Sequence, residues 1–95
     1  MAPAISLQSY PIQADDIASQ VIDDEAVLVL PRHGQIKVLN EVGARIWSLS
    51  DGNHSIQQIT HAIYTEYAVT INTAEADTLA FVAALVKEQI LTIRG

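Results

Sequence analysis

The residues that could carry acid–base, nucleophilic or metal chemistry are few in this chain and poorly spaced for it. Its three histidines, His33, His54 and His61, lie 21 and 7 residues apart. None has the i, i+4 interval that sets two imidazoles on one helical face, so no metal site is expected. Cysteine is absent, which removes disulfides, thiolate zinc sites and a cysteine nucleophile together. Serines are plentiful, but no G-x-S-x-G elbow occurs, and the histidines fall in turns or on a helix surface, where a triad has little support. Asp15-Asp16 and Asp23-Asp24-Glu25 read as solvated turns, because the calcium-loop pattern is missing. The four glycines never cluster into a phosphate-cradling loop. These residues point to a protein that binds without catalysing, with no cofactor and no metal.

Charge narrows the partners. The net charge is −6, from 11 acidic against 5 basic residues. Arg32, Lys37, Arg45, Lys87 and Arg94 are scattered, whereas phosphate neutralisation needs clustered bases. No nucleic-acid partner is expected. The N-terminal stretch lacks a basic leader and an unbroken apolar run, and "AVLVLP" is too short to cross a bilayer. A soluble, cytoplasmic protein with no membrane partner is the expectation.

The elements that must present any binding site change character near Asn40. Before it come three short β-rich runs: residues 17–24, 25–30 and 34–39. Asp23-Asp24 and Pro31-Arg32-His33-Gly34 are tight links, which makes the runs antiparallel neighbours with the third at a sheet edge. After Asn40 the apolar period lengthens to that of a helix. Asn40 is a good N-cap for a short helix carrying Val42, Ala44, Ile46, Trp47 and Leu49, and Asp51-Gly52 stops it. Trp47 reads as core.

Ser55 and Gln58 have capping-box spacing for a second helix. Ile56, Ile59, Ile63 and Tyr64 form its apolar stripe, and the helix runs to about Tyr67. "AVTIN" then crosses to a third helix, capped by Asn72 or Thr73, whose core stripe is Leu79, Phe81, Val82 and Leu85. The predicted class is α+β, winged helix-turn-helix-like, with a three-stranded antiparallel sheet followed by three helices. The 95 residues fit one domain, 1–95, with a core over about 17–93 and residues 1–10 as a flexible extension.

The third helix is apolar around most of its circumference, since Ala80, Ala83, Ala84 and Val86 add to the core stripe. Alanine is the best helix former; alternatively such a helix serves as the wall of a groove. As a DNA reader it is poor. It offers Glu75, Asp77, Lys87, Glu88 and Gln89 where basic and amide groups belong.

The phrase "LNEVGARIWSLSDG", the Ser55-to-Tyr67 helix, and Asp77, Phe81 and Leu85 followed by Ile90-Leu91 together resemble the PqqD-like family. That family is the leader-peptide recognition element of pathways that make and modify ribosomal peptides. The resemblance covers roughly residues 17–93 and implies a three-stranded sheet packed on three helices. It also implies capture of a precursor's leader peptide, which adds as a strand to the third strand and lies against the third helix. Carried onto this chain, the docking edge is Gln35, Ile36, Lys37, Val38 and Leu39. The wall is drawn from Asp77, Leu79, Ala80, Ala83, Ala84 and Val86.

An edge strand has unpaired amides and carbonyls that accept a peptide backbone, which gives this implication a physical sense. Lys37 would pair with an acid in the leader or protect the edge from aggregation. The family resemblance implies a maturation-enzyme partner, with a leader peptidase of lasso peptide biosynthesis favoured. The alternatives are a peptide chaperone in pyrroloquinoline quinone biosynthesis and a winged-helix DNA-binding regulator.

Overall fold

Two adjacent aspartates make the first turn of the sheet. Asp23 and Asp24 both take positive φ, 51° and 66°, the backbone of a two-residue hairpin turn that aspartate tolerates better than most side chains. The computed structural model, which describes residues 5–94, places this turn between β2 (Ala18–Ile22) and β3 (Glu25–Leu30). Gly34, at φ +60°, closes the next turn into β4 (Gln35–Leu39). The result is an antiparallel meander in the order β2-β3-β4, with Val27 opposite Val38 and Leu28 opposite Lys37. The free edge of β4 is therefore an edge of the sheet, as its position in the chain predicts.

Helix α1 (Glu41–Leu49) begins one residue after β4, and the Asn40 side chain accepts from the Gly43 amide at 2.9 Å. Helix α2 (Ile56–Glu66) carries the complete capping box: Ser55 Oγ accepts from the Gln58 amide at 3.1 Å, and Gln58 Oε1 accepts from the Ser55 amide at 2.8 Å. Its stripe is shorter than expected. Ile56, Ile59 and Ile63 are buried, but Tyr64 is exposed.

Helix α3 (Ile71–Lys87) starts earlier than the sequence suggests. Its N-cap is Thr70, whose hydroxyl accepts from the Thr73 amide at 3.1 Å, so Asn72 and Thr73 are first-turn residues. The buried row of α3 is Ala74, Thr78, Val82 and Leu85, with Leu79 and Phe81 only half-buried on its borders. Helix α3 ends in a Schellman arrangement. The Ile90 amide donates to Leu85 O at 2.9 Å and the Gln89 amide to Val86 O at 3.0 Å, with Gln89 left-handed at φ 63°.

A second sheet corrects the expectation of strands first and helices after. Strand β1 (Tyr10–Gln13) pairs with β5 (Leu91–Arg94), which follows α3. The segment before it, read from sequence as a flexible extension, is tied to α2: Leu7 O and Ser9 O accept from the first-turn amides of Gln57 and Ile56 at 2.8 and 2.9 Å. These carbonyls satisfy donors that a helix start leaves unpaired. Residues 1–4 lie outside the described residues.

The core lies between the inner face of the meander (Ala26, Leu28, Leu30, Leu39) and the three helices. Trp47 is in it, 2% exposed. Among the described residues, no helix is long and apolar enough to cross a membrane.

Candidate functional site

The free edge of β4 and one flank of α3 approach one another at two points, Lys37 with Glu88 and Leu39 with Phe81, and bound a cleft between them. Alternation along β4 decides which side chains face it. Gln35, Lys37 and Leu39 point to the helix side, from exposed at Gln35 to buried at Leu39, while Ile36 and Val38 point to the opposite face of the sheet. α1 packs under β3 and β4, and α3 packs instead on α2 and β5. Helix α3 is thus not packed closely along β4, and the strand keeps its free hydrogen-bonding edge.

Two contacts fix which flank of α3 looks at β4. Lys37 Nζ lies 3.5 Å from Glu88 Oε2, at the end of the helix. A methyl group placed on Gly43 would meet Phe81 Cε2 at 3.0 Å and Leu39 Cβ at 3.4 Å, so the Phe81 ring lies where β4 passes into α1. The strand and helix therefore run antiparallel, with Leu39 level with Phe81 and Lys37 reaching Glu88. Glycine at position 43 allows this close seating of the ring.

Helical spacing then sorts the wall residues expected from sequence into two rows. Asp77, Ala80 and Ala84 recur at three- and four-residue steps and share the flank of Phe81 and Glu88. All three are exposed. Leu79, Ala83 and Val86 form the other row, its members about 100° to 160° round the helix from Ala84, with Ala83 the nearest to the first row. Val86 borders a separate hollow of about 370 Å³ with Ala14, Arg32 and Ile93, so it is turned to β5 and not to β4. The structure brings together the five β4 residues and the first row. It does not bring the second row to that edge.

Phe81 and Glu88 belong to the cleft but are absent from the wall read from sequence. The sequence pattern places Phe81 in the core stripe. The signal for its other role is the Asp77-to-Phe81 spacing of four, which puts both on one flank.

A second hollow, of about 250 Å³, lies on the far side between β2, α1 and the end of α2. There Arg45 grips Glu66 through three hydrogen bonds, Nε to Oε1 at 2.9 Å and to Oε2 at 3.2 Å, and Nη2 to Oε2 at 3.0 Å. The hydrogen bond to Glu66 raises the Arg45 pKa. Partial burial, with the nearby Glu41 and Glu66 carboxylates, pushes the Tyr67 phenol up. No three histidine or carboxylate groups gather as a metal site among the described residues.

Comparison with known proteins places these features. No curated protein sequence matches the chain. Residues 25–91 match the family model described as coenzyme PQQ synthesis protein D. TbiB1, solved in complex with the TbiA(beta) leader peptide, is 38% identical, with a TM-score of 0.77 over 84% of this chain and 93% of that one. A lasso peptide synthetase B1 complexed with its leader peptide is 27% identical, with a TM-score of 0.75 over 90% and 99% of the two chains. The PqqD truncation of Methylobacterium extorquens PqqCD, solved in solution as a recognition element, shares the fold at 22% identity and a TM-score of 0.74, over 93% and 94%. The α+β fold with a three-stranded antiparallel sheet and three helices is that of these proteins, and the chain belongs to the PqqD family.

Proposed function

We propose that this protein is a non-enzymatic adaptor that binds the leader segment of a ribosomal precursor peptide and presents it to a maturation enzyme. The observation that carries the reading is the open β4 edge facing the exposed flank of α3. A leader strand would pair with the backbone of Gln35, Ile36, Lys37, Val38 and Leu39, and would rest on Asp77, Ala80, Phe81 and Ala84. Backbone pairing supplies affinity with little demand on sequence, and the small alanines let the peptide approach closely. Leu79, Ala83 and Val86 stand on the other row and would not touch it.

The leader-bound relatives support this reading, and their lasso-type names favour a leader peptidase of lasso peptide biosynthesis as the receiving enzyme. The protein would work in the cytoplasm, where precursor peptides are made. We describe the layout of α1–α3 beside the sheet as winged helix-turn-helix-like, without a DNA role. The exposed acids on α3 and the net charge of −6 oppose one.

The test is a titration of the purified chain with the fluorescently labelled TbiA(beta) leader peptide. Saturable binding that displaces exchange at the β4 amides is expected. Turnover of the peptide by the isolated chain, or binding that leaves β4 unprotected while protecting β5, would sink the reading.

A further inference from the structure

Helix α3 stands between two strands with an open edge, β4 on one flank and β5 on the other. The hydrogen bonds around β1 show which groups of β5 are open. The Gln13 amide donates to Ser50 O at 3.0 Å and the Gly52 amide to Pro11 O at 2.9 Å, so Pro11 and Gln13 turn their backbone groups away from β5. The pairs that bond across the two strands are therefore Tyr10 with Arg94 and Ile12 with Thr92. The Ala14 amide continues that series by donating to Ile90 O at 3.0 Å. Alternation then directs the amide and carbonyl of Leu91 and Ile93 to the far side of β5, where no strand pairs among the described residues. Leu91 is buried and Ile93 half-buried, so Ile93 carries the accessible part of this edge.

The hollow of about 370 Å³ lies against that edge. Three consecutive β5 residues, Leu91, Thr92 and Ile93, line it, which an edge can do and one face of a strand cannot. Val86 and Ala14 add apolar wall. The Arg32 guanidinium is already engaged: Nη1 donates to Gln89 Oε1 and Nη2 to Gln89 O, both at 3.0 Å, and Nε lies 2.8 Å from Asp16. This holds the oxygens of Gln89 and leaves its amide nitrogen, with the Thr92 hydroxyl, to position a ligand. An apolar hollow with a few polar groups, at the lower end of the range of about 300–1,000 Å³ for ligand sites, fits one bulky apolar side chain on an extended backbone.

We infer that this hollow is a second docking point for the precursor peptide itself, which pairs with Ile93 and seats a bulky apolar side chain against Val86 and Leu91. The inference rests on the leader-binding reading above. Two observations choose this occupant. The hollow adjoins the leader cleft at the end of α3: Glu88 meets Lys37 in the cleft, its neighbour Gln89 lines the hollow, and Arg32 stands just before β4. A peptide leaving β4 there crosses the end of one helix, about 10 Å, with about four extended residues. The edge is also too short for a separate partner. The hydrogen bonds of one residue and a single hollow fall far short of the area of about 1,000 Å² that a stable interface buries, with a second copy or with another protein. A segment already tethered at β4 meets no such threshold, because its effective concentration is high.

The test uses the full chain with TbiA(beta) leader peptide and with two extended forms of it. Each extended form carries a Gly-Ser-Gly-Ser spacer and a Thr-Phe-Thr strand, one at each terminus. Amide exchange and fluorescence titration are read for the parent, Ile93→Pro and Val86→Arg, with folding checked by circular dichroism. Proline at position 93 removes the outward amide and no bond to β1, and arginine at position 86 fills the hollow. The leader alone should slow exchange at β4 and leave Ile93 unchanged. The form whose added strand leaves the cleft at the Lys37–Glu88 end should slow both, and bind the parent at least about fivefold tighter than the leader does. Both variants should lose that gain while holding the leader within about twofold of the parent. Ile93 exchange unchanged by either extended form overturns the inference. So does equal protection of Ile93 by the Thr-Phe-Thr strand as a free peptide, since tethering would then be irrelevant. A parent dimer in light scattering that Ile93→Pro dissolves also overturns it, because a second copy would be the occupant. A leader that fails to bind the parent sinks the underlying reading instead, and is seen before any extended form is added.

Discussion

Lys37 and Glu88 join β4 to the end of α3 across 3.5 Å, at one end of the cleft, where strand and helix are not otherwise closely packed. Both side chains are more than a third exposed, so the pair contributes at most about 1 kcal/mol to stability. Lys37→Ala should leave the urea midpoint nearly unchanged yet alter leader affinity and its dependence on salt. The double exchange Lys37→Glu with Glu88→Lys should restore much of the parent behaviour. Equal losses in the single and double variants would show that the ion pair itself does not matter.

Ala84 and Ala83 are neighbours in sequence but belong to different rows of α3. Ala84→Arg should weaken leader binding at least about tenfold, and Ala83→Arg by no more than about twofold. Arginine is a good helix former, so both should stay within about 0.5 kcal/mol of parent stability. Calorimetric titration alongside urea unfolding reads both effects, and equal losses at the two positions would contradict the two-row geometry.

Much of this arrangement was legible in the sequence, wherever local chemistry and tertiary structure agree. Asn40, Ser55 with Gln58, and the Asp23-Asp24 turn all act through bonds a few residues long, and the meander follows from its short links. What escaped reading depends on distant partners. β1 and β5 are four residues each and form a two-stranded sheet across the length of the chain, so neither has enough pattern to announce itself. Thr70 is hidden as the cap because Ile71 and Asn72 disguise the first turn of α3. An apolar circumference gives the wall no direction; Lys37–Glu88 and Gly43–Phe81 show which row meets β4.

Ser55 caps α2 at its most buried end, itself 8% exposed. Ser55→Ala removes the acceptor of the Gln58 amide and should cost about 0.5–2 kcal/mol. Guanidinium unfolding followed by circular dichroism measures it. A cost near zero would mean that the Leu7 and Ser9 carbonyls suffice to start the helix.

Asp51 accepts from the Asn53 amide at 2.8 Å and lies 2.9 Å from His54 Nδ1. The Asn53 amide, helped by His54, holds the Asp51 carboxyl below its ordinary value of 3.8. The folded-state pKa is depressed, so this stabilisation is complete above the unfolded value and is lost as pH falls through the lower folded value. Asp51→Asn keeps an acceptor for Asn53 and should flatten the loss of stability below about pH 4. Urea midpoints measured from about pH 6 to about pH 2 check this, and parallel curves for parent and variant would refute it.

Strands β1 and β5 place Tyr10 opposite Arg94, which has a consequence for the order of assembly. Loop closure costs more as the intervening chain lengthens, so the two tight turns of the meander can zip early while this clasp waits. On the ribosome the wait is absolute. Until Leu91–Arg94 has emerged, β1 is held by its bridge from Ile12 to Asp51 and by the Gln13 side chain donating to Trp47 O, and β5 is the strand that completes the sheet.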